Sequence, residues 1–201
     1  MNRSGINISQ IMYHRVIYFV KPMEQKIILD LGCGKKKREG AIGVDYTNRH
    51  DADIIHDLNV FPYPFESDYA DEIYLDNILE HLDDPMRVME EVCRISKQGS
   101  LVKVIVPYFR SVWAFIDPTH QNYFTVDSFA YYDPNHIICQ RYDYTDTRFF
   151  VKKVIFNETL EVRWWTRKLI IKIANKWPNR YETYLSHHYP LDDITYYLSK
   201  C

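Results

Sequence analysis

The sequence predicts an α/β fold with a mostly parallel sheet, and three observations support this prediction. Short apolar runs rich in β-branched residues recur along the first half of the chain. They lack strict alternation, as expected of strands that are covered on both faces. An amphipathic helical stretch follows the fourth run, and the runs end in acidic or polar residues. Because the carboxyl ends of parallel strands meet at one edge of a sheet, that edge is the expected ligand site.

Seven segments are predicted to be strands. They are residues 26–31, 41–45, 52–57, 71–76, 100–107, 149–156 and 193–200. Between the fourth and the fifth, Asp84 is a candidate N-cap and Pro85 suits a first helical turn. One apolar stripe follows, made of Val88, Met89, Val92 and Ile95. Gly99 is predicted to end this helix.

Length and composition restrict the classes of function. A chain of 201 residues suffices for one substantial core, so residues 1–201 are predicted to form a single domain. No apolar run approaches the roughly 20 residues of a transmembrane helix, and the N-terminus lacks a signal-peptide pattern. The four cysteines are far apart, which predicts neither a disulfide framework nor a zinc site and favours a cytoplasmic location. A net charge of −2 gives no attraction to nucleic acid.

The stretch LDLGCGKKKREGAIGVD, residues 29–45, is close to a glycine-rich nucleotide-binding turn but departs from both phosphate motifs. A P-loop needs Ser or Thr after its lysine, whereas Lys35 is followed by Lys36. The dinucleotide fingerprint needs a third glycine and an acidic residue about 20 positions on, but Asp45 comes too early. A pyrophosphate ligand is therefore poorly supported. S-adenosylmethionine, which carries no phosphate, is the remaining common ligand.

Polar residues at the ends of consecutive predicted strands fit this ligand. Gly32 and Gly34 would let the backbone approach it closely, because no Cβ intervenes. Asp45 would accept the ribose hydroxyl protons, and Tyr46 would lie against the adenine. Further residues at the ends of the third and fourth strands would border the adenine and methionine portions: Asp57, Leu58, Asp76 and Asn77. Each alone is an ordinary strand-end residue, but their recurrence favours a ligand site.

These motifs resemble those of the class I S-adenosylmethionine-dependent methyltransferases, in particular a small bacterial and archaeal type 11-like subgroup. The resemblance covers residues 26–200 and is carried by LDLGCG, GVD, HDLN, DEIYLDNILEHL, RISKQGSLVKVIVP, DPTHQNYFT and YETYLSHHYPLDDITYYLSK. It implies a Rossmann-like seven-stranded sheet with an antiparallel last strand, and S-adenosylmethionine as cofactor. It adds Asp30, Cys33 and His81 to the cofactor residues, although His81 could equally serve helix packing. None of the motifs is specific for the methyl acceptor, and the subgroup often lies among sugar- and polysaccharide-related functions.

The connection between the first two predicted strands is too short for the usual crossover helix. Residues 35–40 fully extended span roughly 20 Å, whereas a parallel crossover normally takes a dozen or more residues. We therefore predict a shortened or absent helix there. An amphipathic helix at residues 8–20, within an N-terminal segment 1–25, is predicted to cover the exposed sheet instead. Its shared face holds Ile8, Ile11, Met12, Val16 and Phe19.

The covering helix has a direct test. Deletion of residues 1–20 is expected to lower the melting temperature markedly, because apolar sheet surface would become exposed to water. A thermal melt followed by circular dichroism measures this. A truncated chain that melts like the full one would show the hypothesis to be wrong.

The cationic run Lys35, Lys36, Lys37 and Arg38 has two interpretations. It is a solvated loop that keeps an exposed edge soluble, or it contacts an anionic acceptor such as a phosphorylated sugar.

Methyl transfer from a sulfonium requires alignment of the acceptor, exclusion of water and removal of a proton. The base is expected beyond the fifth strand, where residues 117–125 lie. His120 is the candidate general base because imidazole titrates near neutral pH, and Asp117 is its candidate orienting partner. A structural role for His120 is the alternative. Three residues after the fifth strand are candidates for acceptor binding: Tyr108, Arg110 and Trp113.

No metal site is predicted. His120, His136 and Asp117 lack tight ligand spacing, and the adjacent His187 and His188 are not expected to share one ion.

Residues 163–177, RWWTRKLIIKIANKW, are basic and amphipathic and belong to an insertion at 157–192 between the last two strands. A lid over the acceptor, a homodimer interface and a peripheral membrane helix all fit this pattern. The predicted function is transfer of a methyl group to an oxygen atom of a small-molecule or glycan acceptor. The alternatives are a lipid or quinone acceptor at a membrane, and binding of the cofactor without catalysis.

Overall fold

The computed structural model describes residues 26–48, 52–142, 144–158 and 165–201. Within them one sheet contains the strands β1 (Ile28–Leu31), β2 (Ile42–Asp45), β3 (Ile54–Ile55), β4 (Ala70–Asp76), β5 (Ser96–Pro107), β6 (Phe149–Phe156) and β7 (Asp193–Lys200). The spatial order is β3-β2-β1-β4-β5-β7-β6. The first five strands are parallel neighbours, and β7 runs antiparallel to β5 and β6. The predicted Rossmann-like sheet with a reversed last strand is confirmed.

The described helices are α1 (Pro85–Ile95), α2 (Trp113–Ile116), α3 (Ile137–Arg141) and α4 (Trp165–Lys176), with shorter helical turns at Leu79–His81, Pro178–Arg180 and Tyr181–Leu185. The start of α1 is confirmed, because the Asp84 side chain accepts a hydrogen bond from the Arg87 amide at 3.1 Å. The predicted apolar stripe of α1 is fully buried against the sheet.

The prediction that Gly99 ends α1 is wrong. The helix ends at Ile95, whose carbonyl accepts a hydrogen bond from the Tyr69 amide at 2.9 Å. Ser96 is already extended and pairs with Ala70 at the start of β4. Gly99 adopts a φ of +74° inside β5, near the point where the pairing with β4 changes register. Gly99 therefore allows a left-handed backbone conformation at this irregularity of β5.

The connection from β1 to β2 contains no helix, as predicted. Residues 32–41 form a series of turns, and the Arg38 amide donates to Asp30 Oδ2 at 2.8 Å. The Arg38 guanidinium donates to Asp76 Oδ2 at 3.0 Å and lies 3.7 Å from the centre of the Tyr74 ring in β4. The loop thus folds back onto the sheet through one arginine.

The predicted covering helix at 8–20 and the whole segment 1–25 lie outside the described residues, so this helix stays a prediction.

Where it is described, the insertion between β6 and β7 contains α4 and two helical turns, followed by the non-helical residues 186–192. In α4, Ile170, Ile171 and Ala174 face the core, while Trp165 and Leu169 are exposed. None of the helices within the described ranges is long and apolar enough to span a membrane.

Candidate active site

Three cavities lie along the carboxyl edge of the parallel strands. The loop cavity, of about 530 Å³, is lined by Asp30, Gly32, Cys33, Lys36, Arg38, Glu39 and Asp76. The β2 cavity, of about 510 Å³, is lined by Asp45, Tyr46, Asp57, Leu58, Asn59, Asn77, Ile78, His81, Leu82 and Thr119. The β5 cavity, of about 550 Å³, is lined by Asn77, Glu80, His81, Pro107, Trp113, Ile116, Asp117, His120, Asp192 and Asp193. Asn77 and His81 belong to both the β2 and the β5 cavity, so these two cavities share a wall.

The predicted cofactor residues come together at this edge. Ten of the eleven line the loop cavity or the β2 cavity. The eleventh, Gly34, donates its amide to Asp45 Oδ2 at 3.0 Å. Asp45 Oδ1 accepts from the Thr47 amide at 3.1 Å, so two backbone amides hold this buried carboxylate at the cavity wall. Tyr46 beside it is 76% exposed.

The turn after β1 depends on glycine at two positions. Gly32 has a φ of +74°, and a Cβ placed on it would lie 2.4 Å from Cγ1 of Ile78. Gly34 has a φ of +53°, but a Cβ there would meet no atom within 4 Å. Gly32 is therefore required for close packing onto the segment after β4, whereas Gly34 borders open space.

Substituting Gly32 with alanine is expected to lower the free energy of unfolding by roughly 2–5 kcal/mol, because left-handed strain and overpacking act together. The matched control Gly34→Ala has the strain alone and should cost about 1–2 kcal/mol. Urea unfolding of both variants measures the difference. Equal losses would contradict the packing of Gly32 on Ile78.

Three carboxylates line the loop cavity, those of Asp30, Glu39 and Asp76. Burial raises the pKa of Asp30, and the charge of Asp76 acts in the same direction. Asp76 Oδ2 receives the Arg38 guanidinium, but its Oδ1 is buried without a hydrogen-bond partner. A cationic ligand group in this cavity would stabilise the charged form of Asp30 and give Asp76 Oδ1 a hydrogen-bond partner.

The β5 cavity is built by joining two segments that are far apart in the sequence. The Glu80 carbonyl accepts from the amides of Gln121 and Asn122 at 2.8 and 3.2 Å. The Asn122 side chain donates to the Leu82 carbonyl at 2.6 Å. These bonds attach the segment after α2 to the turn after β4 and bring His120 beside His81, with 4.6 Å between the ring centres.

The two predicted catalytic residues both line the β5 cavity, but their hydrogen bonds go elsewhere. His120 Nδ1 lies 3.2 Å from the Ala114 carbonyl oxygen. Asp117 Oδ1 accepts from the Thr119 hydroxyl at 2.6 Å, and this hydroxyl lies 2.9 Å from His81 Nδ1. Asp117 is therefore linked to His81 through Thr119.

Titration in the cavity is perturbed by the same packing. Burial raises the pKa of Glu80 to about 7. Burial also lowers the pKa of His81, with the neighbouring His120 adding to the effect. Hydrogen bonds from Thr119 hold the pKa of Asp117 below its usual value.

The three candidate acceptor residues do not share one place. Trp113 lines the β5 cavity and is 54% exposed. Tyr108 is fully buried and packs edge-on against Phe156. Arg110 donates toward His187 Nε2, at 3.2 Å. Of the three, Trp113 is the residue that the structure places at the cavity wall.

Several lining residues were missed by reasoning from the sequence. Glu80 lies inside the EHL motif, yet only its histidine neighbour was considered. Ile116, Asp192 and Asp193 reach the cavity from α2 and from the start of β7. The acidic pair before a predicted strand was the available signal for the last two.

Comparison with known proteins shows a similarity to a methyltransferase domain. Residues 29–104, which span β1 to the middle of β5, match the family model of the methyltransferase domain. The match covers 76 of the 201 residues and makes this part of the chain similar to a methyltransferase domain. No curated protein matches the chain.

Solved structures share the fold of this chain at low sequence identity. An S-adenosylmethionine-dependent methyltransferase from Mesorhizobium loti is 12% identical with a TM-score of 0.54, over 87% of this chain and 91% of that one. The YcgJ protein from Bacillus subtilis is 16% identical with a TM-score of 0.52, over 88% and 92% of the two chains. The complex of the Haloferax volcanii Trm112 methyltransferase activator with a methyltransferase gives 15% identity and a TM-score of 0.52, over 87% and 82%.

Proposed function

We propose that this chain is an S-adenosylmethionine-dependent methyltransferase that methylates a hydroxyl group of a small, polar, sugar-type acceptor held in the β5 cavity. The observation that carries the proposal is the wall shared by the β2 and β5 cavities. A cofactor held at Asp45 would lie on one side of Asn77 and His81, and an acceptor on the other side. Donor and acceptor would then be neighbours, as a direct displacement requires.

The residues of the two cofactor cavities fit S-adenosylmethionine. Asp45 has its carboxylate fixed by backbone amides and retains lone pairs for the ribose hydroxyls. Asp76 Oδ1, buried without a partner, suits the ammonium of the methionine portion, and Asp30 adds a second negative charge. When bound, the cofactor supplies an electrophilic methyl group on a sulfonium.

The chain itself would orient the acceptor and remove its proton. His120 Nδ1 faces a carbonyl oxygen and therefore carries the ring hydrogen. Its Nε2 lone pair is then available to take the hydroxyl proton, which supports the assignment of His120 as general base. Asp117 would orient the ring of His81 at the cavity wall through the Thr119 hydroxyl. Trp113 and Ile116, both more than half exposed, supply apolar surface to the cavity lining.

The cavity chemistry favours a neutral polyhydroxyl acceptor. Four carboxyl groups line it, from Glu80, Asp117, Asp192 and Asp193, and Asp192 is paired with Arg167. This acidic lining would disfavour phosphate groups and can accept hydrogen bonds from hydroxyls. Of the cationic run, Lys37 pairs with Asp53 at 2.9 Å and Arg38 with Asp76. These two pairs support the interpretation of the run as a solvated loop and not as a contact with an anionic acceptor.

An acceptor screen with radiolabelled methyl donor tests the proposal. Neutral sugars and glycosides are expected to become labelled at oxygen, and Asp45→Ala should strongly reduce the labelling at a fixed cofactor concentration because the cofactor binds more weakly. Labelling of amines or of phosphorylated sugars alone would contradict the acceptor class. Tight cofactor binding with no acceptor across the panel would favour the non-catalytic alternative. A cytoplasmic location is part of the proposal.

A lipid or quinone acceptor is a second candidate, favoured by α4. This helix leaves Trp165 and Leu169 exposed at a separate apolar cavity of about 500 Å³. Co-sedimentation with anionic vesicles tests it. Vesicle binding that is lost in Trp165→Ala would support a lipid or quinone acceptor. Absence of vesicle binding by the parent would remove this candidate.

A further inference from the structure

We propose that Glu80, His81 and His120 form a binding site for a divalent transition-metal ion. One ligand atom from each side chain lies within 4.8 Å of the other two. The cluster faces the β5 cavity, where an ion would retain open coordination positions. Two imidazoles and one carboxylate are a ligand set typical of zinc hydrolases and of non-haem iron enzymes.

Both histidines are held in the tautomer that ligation by Nε2 requires. His120 Nδ1 lies 3.2 Å from the Ala114 carbonyl oxygen, which can only accept, so Nδ1 carries the hydrogen. The Thr119 hydroxyl is committed to donating to Asp117 at 2.6 Å, so His81 Nδ1, at 2.9 Å from that hydroxyl, must donate as well. Each ring therefore presents an Nε2 lone pair. Metal-ligating histidines are commonly oriented by such bonds to a carbonyl or a carboxylate.

Glu80 supplies the observation that points independently to a ligand. Its residue is 1% exposed, and both carboxylate oxygens are buried without a hydrogen-bond partner. A buried carboxylate with no partner is strongly unfavourable, and native proteins normally pair such a group or use it to coordinate a metal. A cation between Glu80 and the two imidazoles would resolve this.

The frame around the cluster is fixed by the backbone. Glu80 and His81 lie in one helical turn, and the Glu80 carbonyl holds the amide of Gln121, the residue next to His120. The ligand atoms of a tetrahedral zinc site lie about 3.4 Å apart. Starting from separations within 4.8 Å, side-chain rotations that move each ligand atom by roughly 1 Å would close the site.

The ligand chemistry selects the ion. Imidazole nitrogens suit Zn²⁺, Fe²⁺ and related ions, whereas Mg²⁺ and Ca²⁺ prefer sites made wholly of oxygen ligands. An ion here would also bind the oxygen of an acceptor hydroxyl and lower the pKa of that hydroxyl, so that its proton passes to water more easily. His120 would then be a ligand of the ion and would not act as the general base. That role rests on the proposed function, but ion binding itself does not.

Zinc titration of the untagged full-length protein, without cofactor or acceptor, tests the site. Calorimetry and metal analysis after dialysis should give one Zn²⁺ per chain. Glu80→Gln, His81→Asn and His120→Asn should each weaken binding at least 100-fold, and Thr119→Val, which removes the support of His81, roughly 10-fold. The matched control His136→Asn should bind like the parent, because it removes an imidazole outside the cavity and keeps an acceptor for the Ile138 amide.

Glu80→Gln separates ligation from a structural role. The amide is close in size to the carboxylate and removes a buried charge, so the metal-free variant should melt no lower than the parent. The rise in melting temperature that Zn²⁺ gives the parent should be absent from it. If a histidine variant fails to fold, the absorption spectrum of the Co²⁺-loaded parent decides: a weak, aquo-like spectrum overturns the proposal.

Unchanged zinc affinity in the three ligand variants, or no binding by the parent, also overturns it. Either outcome leaves methyl transfer untouched, because the acceptor screen is a separate measurement. Conversely, failure of the acceptor screen with zinc binding intact would remove the proposed function and leave the metal site.

Discussion

Replacing Asp45 with alanine is expected to weaken S-adenosylmethionine binding by roughly 100- to 10,000-fold. Two hydrogen bonds to a charged carboxylate contribute about 1.5–3 kcal/mol each, and about 1.4 kcal/mol corresponds to a factor of ten. The carboxylate is buried at the cavity wall and already fixed by the amides of Gly34 and Thr47. Calorimetry with the cofactor and with its demethylated product measures the effect.

Two further variants separate ribose binding from support of the loop. Asp45→Asn keeps one acceptor oxygen and should show a smaller loss than Asp45→Ala. Asp53→Ala removes a carboxylate from the neighbouring connection, where it holds the Gly43 amide at 2.8 Å and pairs with Lys37. It should lower stability with little change in cofactor affinity. Unchanged affinity in Asp45→Ala would show the ribose assignment to be wrong.

Replacing His120 with alanine is expected to lower turnover of an identified acceptor by about 10²- to 10⁴-fold, the usual contribution of a general acid or base. Cofactor affinity should stay the same, because His120 lines the β5 cavity and not the two cofactor cavities. Single-turnover transfer of radiolabelled methyl, with the cofactor dissociation constant measured in parallel, tests both statements.

The matched control for this prediction is His136→Asn, which should keep parental turnover. A loss of cofactor affinity in His120→Ala equal to the loss of turnover would indicate a structural role. In that case the alternative of a histidine held only by packing would be favoured.

Much of the fold could be predicted because its signals are local. The apolar runs that end at Leu31, Asp45 and Asp76 are buried strands, and the reversed last strand followed from the resemblance. The end of α1 could not be predicted, because the Tyr69 amide takes the carbonyl of Ile95. That contact joins residues distant in the sequence, and Gly99 offered a misleading local stop signal.

The predicted cofactor residues and the β5 cavity differed in how far the sequence could predict them. The cofactor residues stand at the ends of predicted strands, so the topology alone places them together. The β5 cavity instead depends on the bonds of the Glu80 carbonyl to Gln121 and Asn122, which join two loops. No periodicity or spacing announces such contacts, and Glu80 was missed for that reason.

The turn-built connection between β1 and β2 has a consequence for ligand discrimination. A crossover helix would point its N-terminus, the positive end of its macrodipole, at the bound ligand, and this arrangement favours phosphate. Here no such dipole exists among residues 32–41, and the Arg38 side chain is already taken up by Asp76. The cavity where that helix would begin is lined by three carboxylates, Asp30, Glu39 and Asp76, against the two cations Lys36 and Arg38. The site is thereby biased against ATP and the dinucleotides, and toward a cofactor that carries a positive charge.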